Sequence, residues 1–204
     1  MEDREKSTLV LYAALDSVDI TEPIHPPFRY EEILSAKNEK TRMEKYFVWK
    51  LLKKTVDEHL KLDFDNLTFT KTANGQWICP DFHFSLSHTD GAVCVAVSIA
   101  EIGVDIEPLR PIRSELATRY LTDREREIYD GLPSDSASRF FIETWVKKEA
   151  DLKRRGADKL VPAKTESDAI DAELFTVGIN GTDYLIAVAA DPNEKNEIQF
   201  TEEI

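Results

Sequence analysis

The stretch Ile102-Gly103-Val104-Asp105-Ile106-Glu107-Pro108-Leu109-Arg110 decides how the chain is read. As an extended strand it puts Ile102, Val104 and Ile106 on one face and Gly103, Asp105 and Glu107 on the other. Two carboxylates two residues apart on one strand face lie close together. That is unfavourable unless a cation or solvent screens them. Pro108 stops the strand just past the pair, so the pair falls at a strand end. The rest of the chain is expected to build a site around it.

On either side the pattern alternates between strands and helices. Residues 8–15 read as a strand, and Pro23, Pro26 and Pro27 make the next segment irregular. A helix is expected from Ser35 or Asn38 to about His59, with Met43, Phe47 and Leu51 at helical spacing. Leu67–Thr70 reads as a short strand. The Asn74-Gly75 turn closes a hairpin onto Trp77-Ile78. Phe82–His88 and Gly91–Ile99 read as strands that lead straight into the Asp105 strand.

Beyond it, Arg113–Tyr120 and Thr122–Tyr129 read as short helices, the second opened by a Thr122/Glu125 capping box. A long helix is expected from Ser134 or Ser136 to Arg155, ended by Gly156. Residues 172–179 and 184–190 form a hairpin around Asn180-Gly181. Each half thus has a helix backed by strands. The expected fold is α+β, in two pseudo-twofold-related halves (1–99 and 100–190) with an acidic, loosely held tail over 191–204.

The totals narrow the class. The chain has 204 residues, 42% hydrophobic and 32% charged, enough for a sizeable core. A net charge of −13 argues against nucleic-acid or anionic-membrane binding. No basic lead and apolar run marks a signal peptide, and no stretch is long enough to span a membrane. Cys79 and Cys94 lack zinc-site neighbours and read as reduced thiols, which points to the cytoplasm. Basic side chains nevertheless cluster in residues 37–54 and 147–155. They read either as solvated helix faces or as a local positive surface for an anionic ligand.

In the long helix Phe141, Ile142, Trp145, Glu149 and Leu152 share one face. A carboxylate on an apolar stripe must be paired, protonated or metal-bound. Lys153, four residues on, is one available partner. Asp105 and Glu107 are the other candidates for meeting it, and three hard oxygen ligands suit Mg2+, which keeps waters and binds phosphates. Upstream, Ser87-His88 before the Asp90-Gly91 turn has donors for a phosphate, or reads as a plain β-turn. A Ser87/His88/Asp105 hydrolase triad is disfavoured, because adjacent strand residues point to opposite faces and no G-x-S-x-G elbow is present.

Three segments in this order, FSLSHTDG, IGVDIE and WVKKEADLKRRG, resemble the Sfp-type 4′-phosphopantetheinyl transferases. Gly103-Val104-Asp105-Ile106-Glu107 matches one family motif and Trp145 to Lys153 the other. LTDREREIY, with Glu125, is similar to a third segment, and the NGQW turn to a fourth. The resemblance implies a cleft between two α+β halves that binds coenzyme A. It implies transfer of the 4′-phosphopantetheine arm to a serine of an apo carrier protein, with release of 3′,5′-ADP. Asp105, Glu107 and Glu149 would hold Mg2+, with Mn2+ as a substitute. Ser87 and His88 would bind a coenzyme A phosphate, Arg42 would help hold the adenosine end, and Lys148 and Lys153 would face the pyrophosphate. Glu149, or a water on the metal, would deprotonate the serine, with Lys153 and Asp105 beside it.

The family turn is usually Gly-Lys-Pro, whereas this chain has Gly75-Gln76-Trp77. One coenzyme A cation is therefore missing from that turn, and Arg29 or Lys37 is the available substitute. Carrier proteins are acidic, so docking is expected on a local basic or apolar patch such as the 147–155 helix end. One chain holds both halves, so a monomer suffices. The rival readings are a non-catalytic paralogue that binds coenzyme A or a carrier protein, and a Mg2+-dependent nucleotide phosphohydrolase.

Overall fold

In the computed structural model of the chain, residues 7–15, 20, 22–156, 165–191 and 195–202 are described. Strand β1 (Ser7–Ala14) is followed by helices α1 (Pro27–Leu34) and α2 (Glu39–Thr55). The short β2 (Thr70–Lys71) and β3 (Trp77–Ile78) form the expected hairpin. Then come β4 (His83–Thr89), β5 (Ala92–Ser98) and β6 (Gly103–Pro108). Helices α3 (Ser114–Tyr120), α4 (Asp123–Asp130) and α5 (Ser134–Arg154) lead to β7 (Glu173–Ile179), β8 (Thr182–Ala189) and β9 (Lys195–Phe200).

The strands make a four-stranded sheet in the order β4-β5-β1-β9, a three-stranded sheet in the order β6-β8-β7, and the small β2-β3 pair. The two larger sheets pack face to face. Val10, Ala92, Cys94 and Ala96 of the first meet Val104, Ile106, Ile186 and Val188 of the second in one buried cluster. The outer face of the first sheet (Leu11, Val93, Val95, Val97) packs on Phe47, Trp49, Leu51 and Leu52 of α2. The outer face of the second (Leu185, Ala187, Ala189) packs on Phe141, Val146 and Ala150 of α5. The result is four layers: helix, sheet, sheet, helix. It explains why β5 reads as an unbroken apolar run, since every one of its residues is buried.

Local signals set the helix ends. Asn38 caps α2 by accepting from the Lys40 amide at 2.9 Å. Thr122 and Glu125 form the expected capping box, with hydrogen bonds of 3.1 and 2.9 Å. Gly103 has a packing reason: a Cβ there would lie 1.8 Å from the Ala150 carbonyl oxygen, so only glycine lets the backbone of α5 rest on β6.

Two expectations are corrected. The proline-rich segment ends in a helix, because Pro27 occupies its first turn, where a missing N–H is harmless, and Ile33 is buried. The 191–204 segment is not a loose tail throughout. Lys195–Phe200 pairs in parallel with β1, where Tyr12 packs against Phe200. Residues 192–194 and 203–204 of that segment, and residues 1–6 of the N-terminal stretch, lie outside the described residues. Among the described residues no helix is long and apolar enough to cross a membrane.

Candidate active site

The edge strands β4 and β6 of the two large sheets meet along a seam made by side chains. Period-two alternation puts Ser85, Ser87 and Thr89 of β4 on the face toward β6. Ser85 Oγ accepts from the Val104 amide at 3.0 Å, and Ser87 Oγ from the Ile106 amide at 3.3 Å. Ser87 Oγ also donates to Asp105 Oδ1 at 2.7 Å, and Thr89 Oγ1 to Glu107 Oε2 at 3.0 Å. These hydroxyls satisfy backbone donors that a strand edge would otherwise leave open. Their alternation was readable in FSLSHTDG, but Ser85 and Thr89 were not among the expected site residues.

Helix α5 completes the group from the other side. Lys153 Nζ donates to Asp105 Oδ1 at 2.7 Å and to the Val104 carbonyl at 3.0 Å. Glu149 is half-buried one turn earlier. Burial, and then the negative charge of Asp105, push the carboxyls of both Glu149 and Glu107 above their ordinary range. The charges of Asp105 and Lys153 thus reach both Glu107 and Glu149.

Among the described residues, no three His, Cys, Asp or Glu side chains are gathered closely enough to hold a metal ion as they stand. The donor chemistry nevertheless fits one. Asp105 is buried and its Oδ2 has no hydrogen-bond partner, while Glu107 and Glu149 beside it are mutually repelled carboxyls. An orphaned buried carboxylate oxygen among acids suits a hard divalent cation.

Ser87 and His88, expected to bind a phosphate together, part company. Ser87 belongs to the seam, whereas His88 points to the α2 side, its Nδ1 3.4 Å from Glu44 Oε2. The edge of the ring reaches solvent, with 36% of the side chain exposed, but protein surrounds the rest at longer range. That desolvation, followed by the charges of Lys153, Lys45 and Arg29, lowers its pKa to about 4. His88 is thus a neutral imidazole at physiological pH, able to donate from one nitrogen and accept at the other.

Lys148, expected at the pyrophosphate, is buried away from the acids in a pair with Glu125. Its Nζ lies 2.5 Å from Glu125 Oε2 and 3.3 Å from the Tyr120 carbonyl, and each side chain is only 4% exposed. Burial works to raise the Glu125 carboxyl, but Lys148 and the Thr122 and Ser167 amides outweigh it and hold it low. Arg42 closes onto the Ala36 carbonyl at 3.2 Å, and Lys37 is exposed just ahead of α2. Gly75, with φ of +83°, sits at the tip of the β2-β3 hairpin. Beside it lies Gln76, which lines a cavity of about 300 Å³ with Trp77, Phe84, Leu86 and Lys153. In the 147–155 patch, Arg154 and Arg155 both pair with Asp151, at 3.3 and 2.7 Å.

Residues 101–199, which carry Asp105, Glu107, Glu149 and Lys153, match the model of the 4′-phosphopantetheinyl transferase superfamily. The chain is 31% identical over 109 residues to 4′-phosphopantetheinyl transferase psf-1 of Bacillus pumilus, covering 52% of this chain and 47% of that protein. It is 28% identical over 115 residues to Sfp of Bacillus subtilis, covering 55% and 51%. It is 38% identical over 76 residues to HetI of a Nostoc species, covering 36% and 32%. The chain thus spans about half the length of the first two relatives and less of the third. Both acid-bearing motifs lie inside the matched region, and Sfp-type 4′-phosphopantetheinyl transferases are among the proteins the chain is similar to.

Proposed function

We propose that this protein transfers the 4′-phosphopantetheine arm of coenzyme A to a serine hydroxyl of an apo carrier protein or carrier domain, releasing 3′,5′-ADP. The observation that carries this reading is the Lys153 ammonium 2.7 Å from Oδ1 of Asp105, a buried carboxylate whose Oδ2 has no partner and whose charge reaches Glu107 and Glu149. All four lie within the stretch that matches the family.

The residues divide the work by their surroundings. Asp105, Glu107 and Glu149 would hold Mg2+, or Mn2+ in its place, and that ion would neutralise charge on the pyrophosphate. Lys153 adds a second positive charge for the leaving phosphate. Ser87 and Thr89 fix the carboxylates of Asp105 and Glu107 by hydrogen bonds of 2.7 and 3.0 Å. Glu149, with its raised pKa, is suited to take the proton from the incoming serine. As the serine oxygen bonds to phosphorus, the phosphoanhydride bond breaks and 3′,5′-ADP departs. Neutral His88 offers a hydrogen bond to a coenzyme A phosphate from the α2 side. Arg42, Lys37 and Gly75 border the same ligand, and Lys148 supports it indirectly through α5.

The same reading takes the chain as two α+β halves, 1–99 and 100–190, with the substrate between them. In support, α2 backs one large sheet and α5 the other. We place the enzyme in the cytoplasm, which the two free thiols, Cys79 and Cys94, support, and take it as a monomer because one chain holds both halves.

The test is to incubate the protein with coenzyme A, Mg2+ and a panel of apo carrier proteins, and to weigh the carriers. A gain of one phosphopantetheine arm is expected. Tight coenzyme A binding with no gain on any carrier would instead indicate a binding paralogue. Nucleotide fragments released without a carrier would indicate a phosphohydrolase.

A further inference from the structure

We propose that Gln76 is a positioning residue: its side-chain amide holds the C-terminal end of α5 so that the Lys153 ammonium rests on Asp105. This rests on the transfer reading above and gives Gln76 a role other than contact with coenzyme A.

The last carbonyls of a helix lack partners within it and carry the negative end of its dipole. At the end of α5 the Lys153 carbonyl, and just beyond the helix the Gly156 carbonyl, find partners far away in the chain. Gln76 Nε2 donates to the Lys153 carbonyl at 3.3 Å, and Asn74 Nδ2 donates to the Gly156 carbonyl at 3.2 Å. The Lys153 carbonyl also accepts from the Gly156 amide at 3.1 Å. Gly156 has φ of +62°, and a Cβ there would lie 2.8 Å from Gln76 Oε1. The carboxamide of Gln76 thus lies close against a glycine whose positive φ disfavours other residues.

The hairpin is itself held firmly enough to act as a support. The Thr72 amide donates to the Gln76 carbonyl at 2.8 Å, and the Gln76 amide to Thr72 Oγ1 at 3.1 Å. Lys153 is therefore fixed at both ends, its carbonyl by the hairpin and its ammonium by Val104 and Asp105. Its four-carbon stem has many rotamers, and anchoring the main chain limits how far the ammonium can wander. Fraying of the last helical turn would withdraw it from Asp105. The residue that departs from the family turn thus takes on work at the helix end.

The test uses the full chain as wild type, Gln76→Glu, Gln76→Met, Lys153→Ala and the Gln76→Glu/Lys153→Ala double variant. Gln76→Glu keeps the shape but loses both N–H donors, and Gln76→Met loses them without adding charge. Two readouts are followed: carrier-transfer kinetics, and the ¹H–¹⁵N signal of the Lys153 ammonium with neither coenzyme A nor carrier present. In both Gln76 variants kcat should fall about tenfold, the size of one lost hydrogen bond, with KM for coenzyme A within about threefold of wild type. The ammonium signal should broaden or vanish. The double variant should be no slower than Lys153→Ala alone, because Gln76 acts through Lys153. Wild-type kcat with an intact signal in either Gln76 variant overturns the proposal, as does an additive loss in the double variant. If wild type modifies no carrier, the transfer reading itself fails, and the ammonium signal alone decides the clamp: its loss in the Gln76 variants supports it and its persistence overturns it.

Discussion

Ser87 Oγ donates to Asp105 Oδ1 at 2.7 Å while accepting from the Ile106 amide at 3.3 Å, so one hydroxyl joins the edges of two sheets and orients a site carboxylate. Ser87 is almost fully buried, at 4% exposure. Ser87→Ala therefore orphans a backbone donor and frees Asp105 at once. Unfolding in urea should show a loss of about 1–3 kcal/mol in stability. A variant as stable as wild type would show that Ser87 serves only a bound ligand.

The Lys148–Glu125 pair makes a contrasting case. Lys148→Ala leaves a buried, hydrogen-bonded carboxylate without its cation, which typically costs about 3–5 kcal/mol. Thermal melting should show a large loss for Lys148→Ala and a smaller one for the Lys148→Met/Glu125→Gln double variant. If Lys148→Ala melts like wild type but binds coenzyme A more weakly, Lys148 faces the ligand as its motif implies.

His88 gives a pH signature. Its folded pKa of about 4 lies below the ordinary 6.5, so from pH 6.5 down to 4 the unfolded chain binds a proton that the folded chain does not. The corresponding stability is full above pH 6.5 and is lost as pH falls toward 4. Glu107 and Glu149, with raised pKa values, change in the opposite sense, so the comparison must be with His88→Gln. The stability advantage of wild type over His88→Gln should shrink on acidification through that window. A difference that does not vary with pH contradicts the desolvated, neutral imidazole.

Mg2+ should stabilise the fold through the acids. A ligand that binds only the folded state raises its stability by mass action, about 2.7 kcal/mol at a hundredfold excess over Kd. At that excess of Mg2+ wild type should melt about 5 °C or more higher, and Asp105→Asn should not respond. An equal rise in both would place the ion elsewhere.

Much of this was legible in the sequence, for reasons that differ by residue. Strand alternation alone put Asp105 and Glu107 on one face, and helical spacing put Glu149 within an apolar stripe. Turn and cap chemistry located the Asn74-Gly75 and Asn180-Gly181 turns and the Thr122/Glu125 box. Less legible were features set by contacts between distant elements. The motif placed Lys148 beside Glu149, but successive helix residues face about 100° apart, and Glu125 of another helix holds Lys148 away from the acids. Gln76 read as a lost cation, because nothing local signals that the end of α5 lies against the hairpin. The final strand was hidden by its charge: it pairs at a sheet edge, where a strand need not be strongly apolar.

The most direct test of the account is the mass of an apo carrier protein after exposure to coenzyme A and Mg2+ with wild type or Glu149→Gln, both confirmed folded by circular dichroism. Wild type should add one phosphopantetheine arm to the carrier, and Glu149→Gln should leave it unmodified. Equal modification by both proteins would contradict the assignment of Glu149 as base and metal ligand, and with it the site built on Asp105, Glu107 and Lys153.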